Sequence, residues 1–164
     1  MDALAKVRHT IDAQFGRGTH RALPRDATVE YSKRTGRIRA VRRGSSSGDL
    51  LIIQRPDGSM AVSMAFAQMM VSRMRGSAGM AGPVSACCIE VTAEAAPFVA
   101  EGRSVFCRHV ARCGRRIRAN SDVLVTYEGR VVAVGRALLP YEIIRVMGRG
   151  VAVRVRDSLK GRGK

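Results

Sequence analysis

Gly102, Arg103 and Ser104 follow one another inside residues 92–110, TAEAAPFVAEGRSVFCRHV. A glycine can turn left-handed at no steric cost. A guanidinium reads phosphate through a planar fork of donors, which an ammonium cannot do. A hydroxyl and the backbone N–H groups of the turn would complete an anion-binding concavity. The plainer account of the same residues is a helix cap beside a solvated arginine. A second basic set lies in residues 32–43, SKRTGRIRAVRR, where Arg34, Arg37 and Arg39 are read onto a strand with one basic face. Both sets suit the binding of a polyanion and neither suits bond-making.

Bond-making chemistry is hard to place anywhere in the chain. Its thirteen acidic residues are scattered, and no pair sits in a recognisable catalytic motif. No glycine-rich cofactor loop follows a strand, and no G-x-x-x-x-G-K-[ST] loop is present. Cys107, His109 and Cys113 are ligand types, but their spacing matches no structural zinc pattern. No catalytic residue, metal or cofactor is therefore expected. Cys87, Cys88, Cys107 and Cys113 are expected as buried free thiols in a reducing cytosol. A disulfide between the 87–88 strand and Cys107 or Cys113 is the alternative left open. His20 is read as a surface histidine.

Charge is the strongest compositional signal. The 164 residues carry 29 Lys+Arg against 13 Asp+Glu, a formal net charge of +16, and 25 of the 29 are arginine. The excess is equal in the two halves, so both are candidates for a polyanion surface. Arginine enrichment through codon bias alone is the competing account. Only seven aromatics occur and none is tryptophan. That speaks against a reader that stacks successive bases and favours recognition by backbone charge and helix shape. No apolar run reaches 18 residues, and residues 1–14 hold two aspartates and no apolar stretch. The expectation is a cytoplasmic protein with no membrane association.

These side chains need elements to position them. Leu4, Val7 and Ile11 recur at helical spacing, so residues 2–15 read as a helix that Gly16 and Gly18 end. Strands are expected at 28–31, 32–43, 50–55 and 60–63, with a loop at 44–49, a turn at 56–58 and a helix at 65–74. Residues 76–83, GSAGMAGP, read as a domain boundary. In the second half Thr92 is expected to cap a short helix that Pro97 limits and Gly102 stops. A strand should follow over 105–110, then strands at 123–127 and 130–139, the second bent at Gly135. A short helix at 140–146 and a strand at 151–156 complete the set. The expected units are 1–76, 84–157 and a disordered basic tail over 158–164.

Three separated motifs, EAAPFVAEGRSVF, DVLVTYEGRVVAVGRALL and RGVAVRVR, resemble the PUA domain in the right order. This is a small RNA-binding pseudo-barrel of tRNA- and rRNA-modifying systems. The resemblance implies an RNA-binding face made of Gly102, Arg103, Ser104, Arg108, Arg136, Arg149 and Gly150. The first half, through SKRTGRIR and the RPDG turn, resembles the small domain that precedes PUA in archaeosine tRNA-guanine transglycosylases. It adds Arg34, Arg37 and Arg39 as a second contact to the body of the RNA. The fold class implied is α+β: an N-terminal module with an antiparallel sheet, followed by a PUA pseudo-barrel. Full-length relatives keep their catalytic carboxylates and zinc in a separate barrel. The function implied is RNA binding, docking the acceptor stem and 3′ end of tRNA beside a separate catalytic subunit. The alternative is a stand-alone PUA protein that binds rRNA in ribosome biogenesis.

Overall fold

In a computed structural model the chain is described over residues 2–78 and 86–162. Helix α1 (Ala3–Phe15) buries Val7, Ile11 and Phe15 at four-residue spacing, one face of a helix. It stops at Gly16, whose φ is 116°. His20 is a partly exposed histidine that pairs with Asp12. Its N–H donates to Asp12 Oδ1 at 2.9 Å and its ring Nδ1 lies 2.8 Å from Asp12 Oδ2. Burial alone would raise the Asp12 carboxyl, but the N–H groups of His20 and Gly18 and the His20 ring outweigh it, and the pKa falls below 3.8.

Strands β1 (Ala27–Tyr31), β2 (Ile38–Arg43), β3 (Leu50–Gln54) and β4 (Met60–Val62) form an antiparallel meander in that order. Helix α2 (Met64–Ala78) packs Phe66, Ala67 and Met70 into the core with α1 and this sheet. It runs through Gly76, so the first part of the expected boundary is helical, and the rest of that stretch lies outside the described residues.

The second sheet has the order β11-β10-β9-β8-β5-β7, with β6 pairing on β10, and it curls toward a barrel. Its strands are β5 (Cys88–Val91), β6 (Val105–Phe106), β7 (Val110–Cys113), β8 (Asp122–Tyr127), β9 (Arg130–Ala137), β10 (Val151–Ser158) and β11 (Gly161–Arg162). Helices α3 (Ala96–Ala100) and α4 (Tyr141–Val146) lie between them. Every pairing is antiparallel except β5 with β8. Glu128 and Gly129 turn β8 into β9 with φ of 48° and 72°, the two left-handed residues of a tight hairpin.

Several expectations need correction. Strand β2 begins only at Ile38, so Arg34 and Arg37 lie in the β1–β2 turn and Arg39 alone of the three is on a strand. Helix α3 starts at Ala96, not after Thr92. Pro97 lies in its first turn, where the ring fits and no donor is lost. The carbonyl of Thr92 takes the N–H groups of Ala95 and Ala96, while its hydroxyl is buried without a partner among the described residues. The strand expected over 105–110 breaks after two residues into a 3-10 turn, Cys107–His109, closed by the Val110 N–H donating to Cys107 O. A further strand, β7, then forms where none was expected. Finally, residues 158–162 are not a disordered tail. Ser158 Oγ donates to Gly161 O at 2.8 Å, Leu159 N–H to Val132 O, and Lys160 N–H to Ala100 O.

Two cores result. One joins Val7, Ile11, Phe15, Leu51, Ile52, Phe66 and Met70 to Cys87, Cys88, Leu124, Val131 and Val134, so it crosses between the halves. The other holds Ile89, Val91, Val99, Val105, Val123, Val125, Val153 and Val155. Strand β8 sends Leu124 into the first and Val123 and Val125 into the second, the alternation of a sheet covered on both faces.

Candidate nucleic-acid interface

The turn after α3 is built as a helix cap first. Gly102 has φ 95°, its N–H donates to Val99 O at 2.9 Å, and Arg103 N–H donates to Phe98 O at 3.1 Å. These are the paired bonds of a Schellman motif, so neither N–H is left for an anion. Gly102 itself is buried. The β10–β11 turn lies against this helix end, with Lys160 Nζ 3.1 Å from Glu101 Oε1. What faces outward is side chain. Arg103 is exposed, with its guanidinium 5.7 Å from the centre of the Phe98 ring, and Ser104 is half-buried.

Strand β6 then aligns the rest. Phe106 pairs with Val151 and Val105 with Val153. The hydrogen bond from Cys107 N–H to Gly150 O brings Arg108 beside Arg149 and Gly150 at one end of β6. At the other end, antiparallel order carries Arg103 and Ser104 toward Arg154. Arg108, Arg149 and Arg154 are all exposed, and Arg108 Nε donates to His109 Nε2 at 3.1 Å. Phe98 and Phe106 share this region and are 53% and 45% exposed. Two of the four phenylalanines thus stand in water among arginines, an arrangement that composition hides. Arg154 was detectable in principle, because Val151, Val153 and Val155 alternate around it.

Arg136 is exposed and extends that cluster across β10. It lies on β9 opposite Arg154 on one side and Asp122 on the other. Asp57, on the β3–β4 turn, is held below the usual carboxylate range, first by the Ser59 hydroxyl and N–H at 2.6 and 2.8 Å, then by Arg55 and Arg136. The Arg55–Asp122 ion pair sets this edge of the second sheet against the N-terminal half. Arg34, Arg37 and Arg39 do come together there, on an open groove of about 1050 Å³ that Lys6, Tyr31 and Arg55 also line.

Between these areas lies a buried ion cluster. Asp122 accepts from Arg55 Nη2 at 2.7 Å, from Arg156 Nη1 at 2.6 Å and from Val62 N–H at 3.0 Å. Arg156 Nη2 also donates to Val62 O at 2.5 Å. Arg116, within the four-arginine stretch 112–118, donates to Ala13 O at the end of α1. That arginine bridges the two halves through one hydrogen bond.

Burial disfavours the thiolate at all four cysteines. Burial pushes Cys87 up to about 11 and Cys88 to about 12, and the half-buried Cys113 to about 11. All four cysteines are free. Among the described residues no three His, Cys, Asp or Glu side chains converge as a metal site, and no helix is long and apolar enough to cross a membrane.

Two known domains match separate stretches of the chain. Residues 5–74 match the patch-forming domain C2 of tRNA-guanine transglycosylase, and residues 88–159 match the PUA domain. The chain carries a C2 domain followed by a PUA domain. A tRNA-guanine(15) transglycosylase of Methanothermobacter thermautotrophicus is 34% identical over 96% of this chain and 23% of its own length. That of Thermoplasma acidophilum is 32% identical over 94% of this chain and 23% of its own. The chain thus spans about a quarter of the length of the curated relatives it matches. A hypothetical protein of Pyrococcus horikoshii shares the fold at TM-score 0.66 with 19% identity, over 93% of this chain and 87% of that one. The C2–PUA pair is the region that the relatives place outside the other three quarters of their length.

Proposed function

We propose that this C2–PUA chain binds structured RNA in tRNA modification, docking the acceptor stem and 3′ end of tRNA on its PUA domain. The observation that carries the reading is the cluster around β6. Arg103, Arg108, Arg149 and Arg154 project from one region together with two exposed phenylalanines. Arginine forks suit the phosphates of a stem, and exposed rings suit the unpaired bases at its end. The relatives act on tRNA by name, and this chain aligns to them over nearly its full length. On this reading the chain is non-catalytic alone and base exchange is supplied by a separate transglycosylase subunit.

If roughly five phosphates are contacted, affinity for tRNA falls on the order of a few hundredfold between 50 and 200 mM salt. Arg103→Ala and Arg149→Ala each weaken binding at unchanged melting temperature, and each flattens the salt slope by about one unit. Filter binding across a salt series measures both. Unchanged affinity in the double variant would overturn the docking face. Enrichment of rRNA over tRNA in a pull-down would favour the ribosome-biogenesis alternative.

A further inference from the structure

We propose that the groove of the C2 domain is a second RNA site, one that takes an unpaired stretch of the same RNA by its phosphates and stacks a base on Tyr31. This rests on the reading that the chain binds structured RNA. Lys6, Arg34, Arg37, Arg39 and Arg55 line the groove, and Asp57 is the one acid among its lining residues. These cations differ in availability. Arg55 is committed to Asp122, and Arg39 lies 3.2 Å from Glu30. Lys6, Arg34 and Arg37 have no ion-pair partner among the described residues. Like charges around one concavity repel, and an anion that threads between them removes that repulsion.

The wall of the groove separates paired from unpaired RNA. Tyr31 ends β1 opposite Ile38 and leaves 52% of its surface exposed. A duplex keeps its base faces stacked inward and would offer this ring nothing but backbone, whereas an unpaired base has a free face to stack. The turns on either side are open. Gly36 and Gly58 have φ of 65° and 86°, and a Cβ at either would meet no atom within 4 Å. Sugar–phosphate can approach both turns closely.

The experiment compares two probes on the full chain: unfractionated tRNA, which has loops and a free end, and a blunt twelve-base-pair RNA duplex, which has no unpaired base. The Lys6→Ala/Arg37→Ala double variant should lose about tenfold or more in tRNA affinity at 100 mM salt. Its salt slope should shrink by about 1.4, the value for two phosphates of a single strand. Tyr31→Ala should lose about five- to a hundredfold on tRNA, the range for one stacked base, and Tyr31→Phe should keep wild-type affinity. None of these variants should change duplex affinity, whereas Arg103→Ala should lower it. Equal losses on both probes would overturn the claim for unpaired RNA. Full tRNA affinity in the groove variants, with a loss in Arg103→Ala, would overturn the groove while leaving the PUA face standing. A wild-type chain that binds neither probe would remove the general RNA-binding reading and this inference with it.

Discussion

Asp122 sits on β8 with its side chain fully enclosed, and groups from three other strands or turns close around it. Arg55 comes from the end of β3, Arg156 from β10, and the N–H of Val62 from β4. Such a cluster is weak evidence for net stability, since desolvation offsets much of the attraction, but removing one member leaves charges uncompensated. Arg55 is 14% exposed and cannot reach water easily, while Arg156, at 37%, can. Asp122→Asn should therefore cost about 3 kcal/mol, the lower part of the range for breaking a buried pair, read from the urea midpoint. At this scale the sequence shows residue types and hides partners. Arg34, Arg37 and Arg39 were legible as a set because they are close in sequence and do meet on one groove. Asp122 was not legible as a junction residue, because its partners lie on strands far apart in sequence. Gly102 was legible as a left-handed stop. That its N–H groups are already bonded inside the helix could not be read, since it depends on where α3 begins.

Gly135 shows the same limit for elements. A bend was expected there, yet β9 runs through it unbroken from Arg130 to Ala137. The reason for glycine lies on the neighbouring strand: a Cβ at Gly135 would run into the carbonyl of Arg154. The close approach accompanies a register shift between Val155 and Asp157 on β10. Gly135→Ala should destabilise the chain by about 1–3 kcal/mol, the cost of overpacking a dense interior, with the loss visible in thermal unfolding. Longer strands, such as β8 and β10, were read to within a residue or two. Three of the short strands were not. β6, β7 and β11 have two to four residues and are held by pairing to distant strands, which leaves no local periodicity to detect. The basic end of the chain looked like a tail for that reason, although Ser158, Leu159 and Lys160 are each hydrogen-bonded to other parts of the sheet or to α3.

For the whole molecule, the expected two units share an interior. Val7, Ile11 and Phe15 of α1 and Phe66 of α2 belong to the same cluster as Leu124, Val131 and Val134. The halves should therefore unfold together. One transition is expected in urea, with coincident curves from far-ultraviolet dichroism and from tyrosine emission. Two separated transitions would show that the modules are independent. The two matched regions were legible from the two resemblances. The common core was not, because β8 and β9 cover α1 and α2 with one face and the PUA core with the other, and a run such as Val131 to Val134 reads only as a buried strand.

That common interior has a consequence for synthesis. Chains leave the ribosome from the N-terminal end at roughly 5–20 residues per second. The first half emerges with the apolar faces of α1 and α2 open, and their last covering residue, Val134, follows several seconds later. During that interval a nascent chain already carrying about half of its +16 charge hangs beside ribosomal RNA. Its arginines have counter-ions in abundance before its hydrophobic surface has a lid. A truncation that stops short of β9 would make that transient state permanent, and such fragments are expected to appear in the insoluble fraction.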